Sequence, residues 1–162
     1  MKDEIPVLIN LLSIAHYDQA PDFPVQFMTK GVLSTLREGG WLLTYQETQT
    51  EDEDGPAITS DIALMMTPKQ VTMTRSGPFR NMMVFSKGRR FEGIYSTPYG
   101  EMPMAVVARE VKSGSAEGRG SLHLKYDLEF QGMLASVNEL HREFISEDNQ
   151  RKGGTENEKA DQ

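Results

Sequence analysis

Hydrophobic and polar residues alternate along most of this chain with a period of two. The cleanest run is Leu122, Leu124, Tyr126, Leu128 and Phe130, interleaved with His123, Lys125, Asp127 and Glu129. Successive side chains of an extended strand point to opposite faces, so this run predicts a half-buried antiparallel strand with one wetted face. Trp41, Leu43 and Tyr45 share a face in the same way, as do Val71, Met73 and Arg75. Further extended segments are 5–14, 23–30, 32–36 (resuming after Gly31), 41–49, 57–66, 71–76, 79–85, 91–96, 102–111 and 133–145. Turn residues separate them: Glu38-Gly39-Gly40, Pro68-Lys69-Gln70, Gly77-Pro78, Lys87-Gly88 and Thr97-Pro98-Tyr99-Gly100. The Gly/Ser-rich stretch 113–120 reads as a loop. Residues 133–144 contain good helix formers, but the alternation Asn138, Leu140, Arg142, Phe144 favours a strand.

Short strands at this spacing, with no long helical stretch, predict an all-β fold. A single antiparallel meander closing into a barrel of about eight to ten strands, with at most one short helix, accounts for them, because closure removes exposed edges. The 162 residues fit one domain. Residues 1–146 form the barrel on this reading. Residues 147–162 carry no aliphatic or aromatic side chain larger than Ala160 and read as a disordered polar tail. The segment 47–55, with Glu47, Glu51, Asp52, Glu53 and Asp54 and no basic residue, reads as a solvated acidic loop.

Charge and composition then narrow the function. The net charge of −7 argues against nucleic-acid and anionic-membrane binding, both of which run on excess positive charge. The absence of cysteine excludes disulfides, thiolate metal sites and cysteine nucleophiles. No run of about 18 apolar residues is present to form a transmembrane helix. Residues 7–15 are mostly apolar, but Asp3 and Glu4 precede them and Asn10 and Ser13 interrupt them, so a first strand fits better than a signal peptide. The expected location is cytoplasmic.

A set of ordered motifs points further. Val71-Thr72-Met73-Thr74-Arg75-Ser76-Gly77 is followed by Met82-Met83-Val84-Phe85 and Gly88. Gly93-x-Tyr95-x-Thr97-Pro98-Tyr99-Gly100 comes next, then a strand from Met102. Gly120-x-Leu122-x-Leu124-x-Tyr126-x-Leu128 and Asn138-x-Leu140 complete it. In this order and spacing the set resembles the YwiB-like family of small bacterial β-barrel proteins of unknown function, over residues 5–146 and most strongly over 71–140. The resemblance implies a calycin-type, lipocalin-like barrel in a cytosolic bacterial protein. It implies no ligand, reaction or catalytic residue.

Arg75 is the leading candidate for chemistry. If Val71 and Met73 face inward, its guanidinium does too, and an inward arginine needs a carboxylate, carbonyls, water or a bound anion. It either caps the barrel end beside Gly77-Pro78 or anchors an anionic ligand in the barrel mouth. Arg142 alternates with Leu140 and Phe144 and poses the same choice; a cation–π contact with Trp41 would be structural. Tyr45, Tyr95, Tyr99 and Tyr126 offer hydroxyls to the same cavity or sit in the core with hydroxyls at the rim. Ten methionines suit an irregular apolar ligand or ordinary core filling. The ligand-binding set is therefore Arg75, Tyr45, Tyr95, Tyr99 and Arg142. Glu139, His141 and Glu143 share a strand face, but with no second histidine nearby in sequence they read as a solvated charged patch, and no metal site is expected. Walker, G-x-G-x-x-G and G-x-S-x-G motifs are absent and no catalytic constellation is visible, so no cofactor and no enzymatic activity are expected. The expected function is binding of a small apolar ligand with a polar or anionic end. The alternative is a protein-interaction module with a packed barrel, using a strand face or the acidic loop 47–55. A homodimer through an open barrel edge is a further partner reading.

Overall fold

The computed structural model describes residues 2–37, 39–50, 54–116 and 119–147. They form ten strands: β1 (Lys2–His16), β2 (Phe23–Thr35), β3 (Trp41–Thr50), β4 (Ala57–Met66), β5 (Val71–Ser76), β6 (Asn81–Phe85), β7 (Arg90–Thr97), β8 (Gly100–Ala116), β9 (Arg119–Phe130) and β10 (Met133–Ser146). All pair antiparallel in one sheet of order β6-β5-β4-β3-β2-β1-β10-β9-β8-β7. The expected meander is thus present, and the helix formers of 133–144 lie in strand β10. Among the described residues no helix is long and apolar enough to cross a membrane.

Closure follows from β1, which pairs with β2 on one side and β10 on the other. That register runs from Val7↔Ser146 to His16↔Val137. The remaining seam lies between β6 and β7. There Arg80 and Ser96 bridge, with N–H donors to carbonyls at 2.8 and 2.9 Å, and the β6–β7 turn is tied to β8 by Gly88 N–H donating to Ala108 O at 2.8 Å. The result is a nearly closed barrel.

Alternation decides what fills it. Leu122 and Leu124 of β9, Val71 of β5, Leu43 of β3, and Val7 and Ile9 of β1 are buried, while the residues between them are largely half-buried or exposed. Phe85 packs on Tyr126 with ring centroids 4.7 Å apart.

Three expectations change. The break at Gly31 disappears: β2 runs straight through it, in register with Val7 and Tyr45, and a side chain there would meet Thr44 O at 2.5 Å and Ile9 Cδ1 at 2.6 Å. Gly31 is a close-packing position inside a strand and not a turn. The loop 113–120 is mostly ladder, since Ser113 to Ala116 pair with Leu122 to Arg119. A Gly/Ser composition does not prevent pairing when the partner backbone is in register. The acidic loop begins later than expected, because Glu47 to Thr50 lie in β3 and pair with Ser60 to Ala57. Glu51, Asp52 and Glu53, and the tail from 148 onward, lie outside the described residues.

Candidate functional site

An antiparallel meander brings the ends of odd strands and the starts of even strands to the same rim. At that rim lies a cavity of about 450 Å³. Its polar side is built from Ser13, Glu47, Ser60, Arg75, Asn81 and Arg142, and its apolar side includes Phe79, Tyr95, Met104, Leu128 and Phe130. The Tyr95 ring holds the apolar wall together, with Phe79 at 6.3 Å and Phe130 at 5.9 Å between centroids. Pairing of β2 with β3 stops at Gly31↔Tyr45. Beyond that point Val25 and Phe27 on one side and Glu47, Ile58 and Ser60 on the other all line the cavity.

Parity places the charges inside. On β3 the inward series Leu43, Tyr45 continues to Glu47, which is 6% exposed. On β5 the series Val71, Met73 continues to Arg75, and on β10 Leu140 and Phe144 flank Arg142, which is 2% exposed. Arg75 donates from Nη2 to Glu47 Oε2 at 3.0 Å, and Arg142 Nη2 lies 3.7 Å from Glu47 Oε1. A buried cation, Arg142, and a half-buried one, Arg75, therefore share one carboxylate.

The two arginines are held very differently. Arg142 donates from Nε to the Tyr45 hydroxyl at 3.0 Å. From Nη1 it reaches Leu12 O, Ser13 Oγ and His141 O at 3.3, 3.2 and 3.0 Å. Burial pushes the Tyr45 phenol up from its ordinary value, against the pull of the Arg142 charge, so it stays protonated and accepts this bond. Arg75 has Glu47 as its hydrogen-bond partner among the described residues, and its side chain keeps 18% exposure. Across the β5–β6 ladder from it, Asn81 lends Nδ2 to Met104 Sδ at 3.8 Å, while its buried Oδ1 has no partner among the described residues.

A family model described as a domain of unknown function (DUF1934) matches residues 9–141. The chain belongs to this family. Its fold is similar to that of the ywiB protein from Bacillus subtilis, known from a crystal structure. The TM-score is 0.75 over 90% of this chain and 94% of that one, at 19% identity. The YwiB-like resemblance read from residues 71–140 is borne out in family and in fold. No curated protein matches the chain.

Of the arginines and tyrosines singled out from sequence, Arg75, Arg142, Tyr95 and Tyr126 line the cavity. Tyr45 stands behind Arg142 as its hydrogen-bond partner and does not line the cavity itself. Tyr99 is misplaced by the sequence reading: it lies in the β7–β8 turn, 85% exposed, because the Thr97-to-Gly100 turn carries it past the rim. Trp41 pairs with Thr35 and Met66, and the ring that Arg142 lies over, at 6.0 Å, is that of Tyr45. Glu47, Ser13, Phe79 and Asn81 were missed. Glu47 was legible: one further step of the Trp41-Leu43-Tyr45 alternation lands on it. Asn81 and Phe79 carry no signal in sequence, because their place depends on how the β6–β7 seam closes.

Proposed function

We propose that the barrel binds a small amphiphilic molecule, with its anionic end on Arg75 and its apolar body against Phe79, Tyr95, Met104 and Phe130. The observation that supports this best is the asymmetry of the two guanidinium groups. Arg142 makes four hydrogen bonds to the protein through Nε and Nη1, whereas Arg75 enters the cavity with one partner and has donors to spare. A carboxylate or similar group would complete it through charge-assisted bonds, and the unpartnered Asn81 Oδ1 would accept from a ligand hydroxyl beside that group. The volume of about 450 Å³ falls in the range of small-molecule sites. It also weighs against the packed barrel that the protein-interaction alternative requires.

The test is a fluorescence titration with cis-parinaric acid and its methyl ester, supported by native mass spectrometry of freshly purified protein. The acid is expected to bind saturably. Arg75→Met and the ester should each weaken binding about 10- to 100-fold, the loss of one charged hydrogen-bond pair. Equal binding of acid and ester, or of wild type and Arg75→Met, would overturn the anionic end. No saturable binding of either probe and no co-purifying mass would overturn the cavity reading.

A further inference from the structure

All three histidines of the chain meet on the outer face of the barrel, away from the cavity. The β9–β10 register sets His123 directly across from His141, and their rings lie 4.2 Å apart between centroids, tilted by 49°. Glu139 sits two residues before His141 on the same face of β10. One ligand atom from each of His123, Glu139 and His141 lies within 4.8 Å of the other two, and all three residues are half-buried. A tetrahedral ion with bonds of about 2.0–2.1 Å needs donors roughly 3.4 Å apart, which small side-chain rotations supply.

The surroundings match what a bound ion needs. His16, at the end of β1, holds Glu139 Oε2 from Nε2 at 2.6 Å and Asp22 Oδ1 from Nδ1 at 3.0 Å. This leaves Glu139 Oε1 turned towards His141 Nε2, 3.9 Å away. A carboxylate fixed by an outer hydrogen bond is how ligating groups are commonly oriented. His123 Nε2 is buried without a hydrogen-bond partner among the described residues, its closest acidic neighbour being Glu110 Oε2 at 3.7 Å. Lys112, across from His123, and Lys125, across from Glu139, border the cluster without entering the donor set.

We propose that His123, His141 and Glu139 form a binding site for a divalent transition-metal ion of the zinc type, with His16 as the residue that positions Glu139. Two imidazoles and one carboxylate are the donor set such ions prefer, and three protein ligands leave a coordination position open for water or another ligand. The site is independent of the cavity and of what the cavity holds.

Isothermal titration of tag-free full-length protein with zinc chloride tests it, with cobalt(II) absorption as a second readout. One ion per chain is expected, with the visible bands of a tetrahedral cobalt site. His123→Ala and His141→Ala should each weaken binding at least 100-fold, and His16→Ala about 10- to 100-fold through the loosened Glu139. Far-UV circular dichroism establishes that the variants are folded, and His123→Gln serves where the alanine variant is not. Absence of saturable binding, or binding that survives loss of either histidine, would overturn the proposal.

Discussion

The barrel carries two polar clusters, one inside and one outside, and they are built on opposite principles. Inside, Glu47 and Arg142 are withdrawn from water and Arg75 largely so, and each charge depends on a small number of fixed partners. Outside, His16, His123, His141 and Glu139 are half-wetted, so water and protons compensate for whatever the side chains do not. The inner cluster should therefore weigh most on stability, and the outer one on the response to pH. Removing the shared carboxylate is the hardest blow to the inner cluster. Glu47→Gln leaves the buried Arg142 and the half-buried Arg75 without their anion and is expected to cost about 3–5 kcal/mol, the usual penalty for stranding buried charge. Urea unfolding measures it, and a loss below about 1 kcal/mol would mean that the interior is far wetter than its burial suggests.

The same comparison can be sharpened within the inner cluster. Arg142→Met removes four hydrogen bonds and strands the Tyr45 hydroxyl, Ser13 and two carbonyls, so a loss of about 2–3 kcal/mol is expected. Arg75→Met breaks one charged bond and leaves Glu47 beside Arg142, for about 1 kcal/mol. Ligand retention should rank the other way, with Arg75 the more sensitive. If the two substitutions rank alike in both assays, fold and binding are not divided between the two arginines.

Much of this was written in the alternation, and the exceptions have physical causes. The strands 57–66 and 71–76 carry a period of two from end to end, so their bounds and inward faces were readable. So were the inward positions of Arg75 and Arg142. Glu47 was lost to local composition: its acidic neighbours suggested a solvated loop, whereas backbone parity continued into the barrel. The histidine cluster was readable only in part: Glu139 and His141 share a face by alternation, but His123 joins them through the β9–β10 register and His16 from the far end of the chain through the β1–β10 register. Periodicity tells which face a residue occupies, but not which distant strand lies alongside.

The outer cluster should reveal itself by pH. Hydrogen bonds to Glu139 and then Asp22 raise the His16 pKa above its ordinary 6.5, so its contribution is complete below 6.5 and fades as pH rises through the shifted value. The bond from His16 holds Glu139 below its ordinary 4.5, so that contribution is present above 4.5 and is lost as pH falls through the lowered value. The two conditions overlap between 4.5 and 6.5. The stability difference between wild type and His16→Ala, measured with a chelator present, should peak in that window and shrink on both sides. His123 carries the opposite sign: its lowered pKa makes protonation below 6.5 unfavourable to the fold, so His123→Ala should relieve part of the acid sensitivity. A flat difference for His16→Ala across the window would show that the His16–Glu139 contact does not form in solution.

The smallest effect is the most direct check on where the site ends. Tyr95 and Tyr99 lie four residues apart and look interchangeable in sequence. Tyr95 packs between Phe79 and Phe130 in the cavity wall. The Tyr99 ring is exposed, and its turn is held without it, by Thr97 Oγ1 donating to Gly100 O at 2.9 Å and accepting from Tyr99 N–H at 3.1 Å. Tyr99→Ala should therefore change stability by no more than about 0.5 kcal/mol and leave parinaric acid binding untouched. Tyr95→Ala removes the ring that joins the apolar wall and should impair both. Loss of binding in Tyr99→Ala would place the ligand outside the rim, across the β7–β8 turn, and would shift the site away from Arg75.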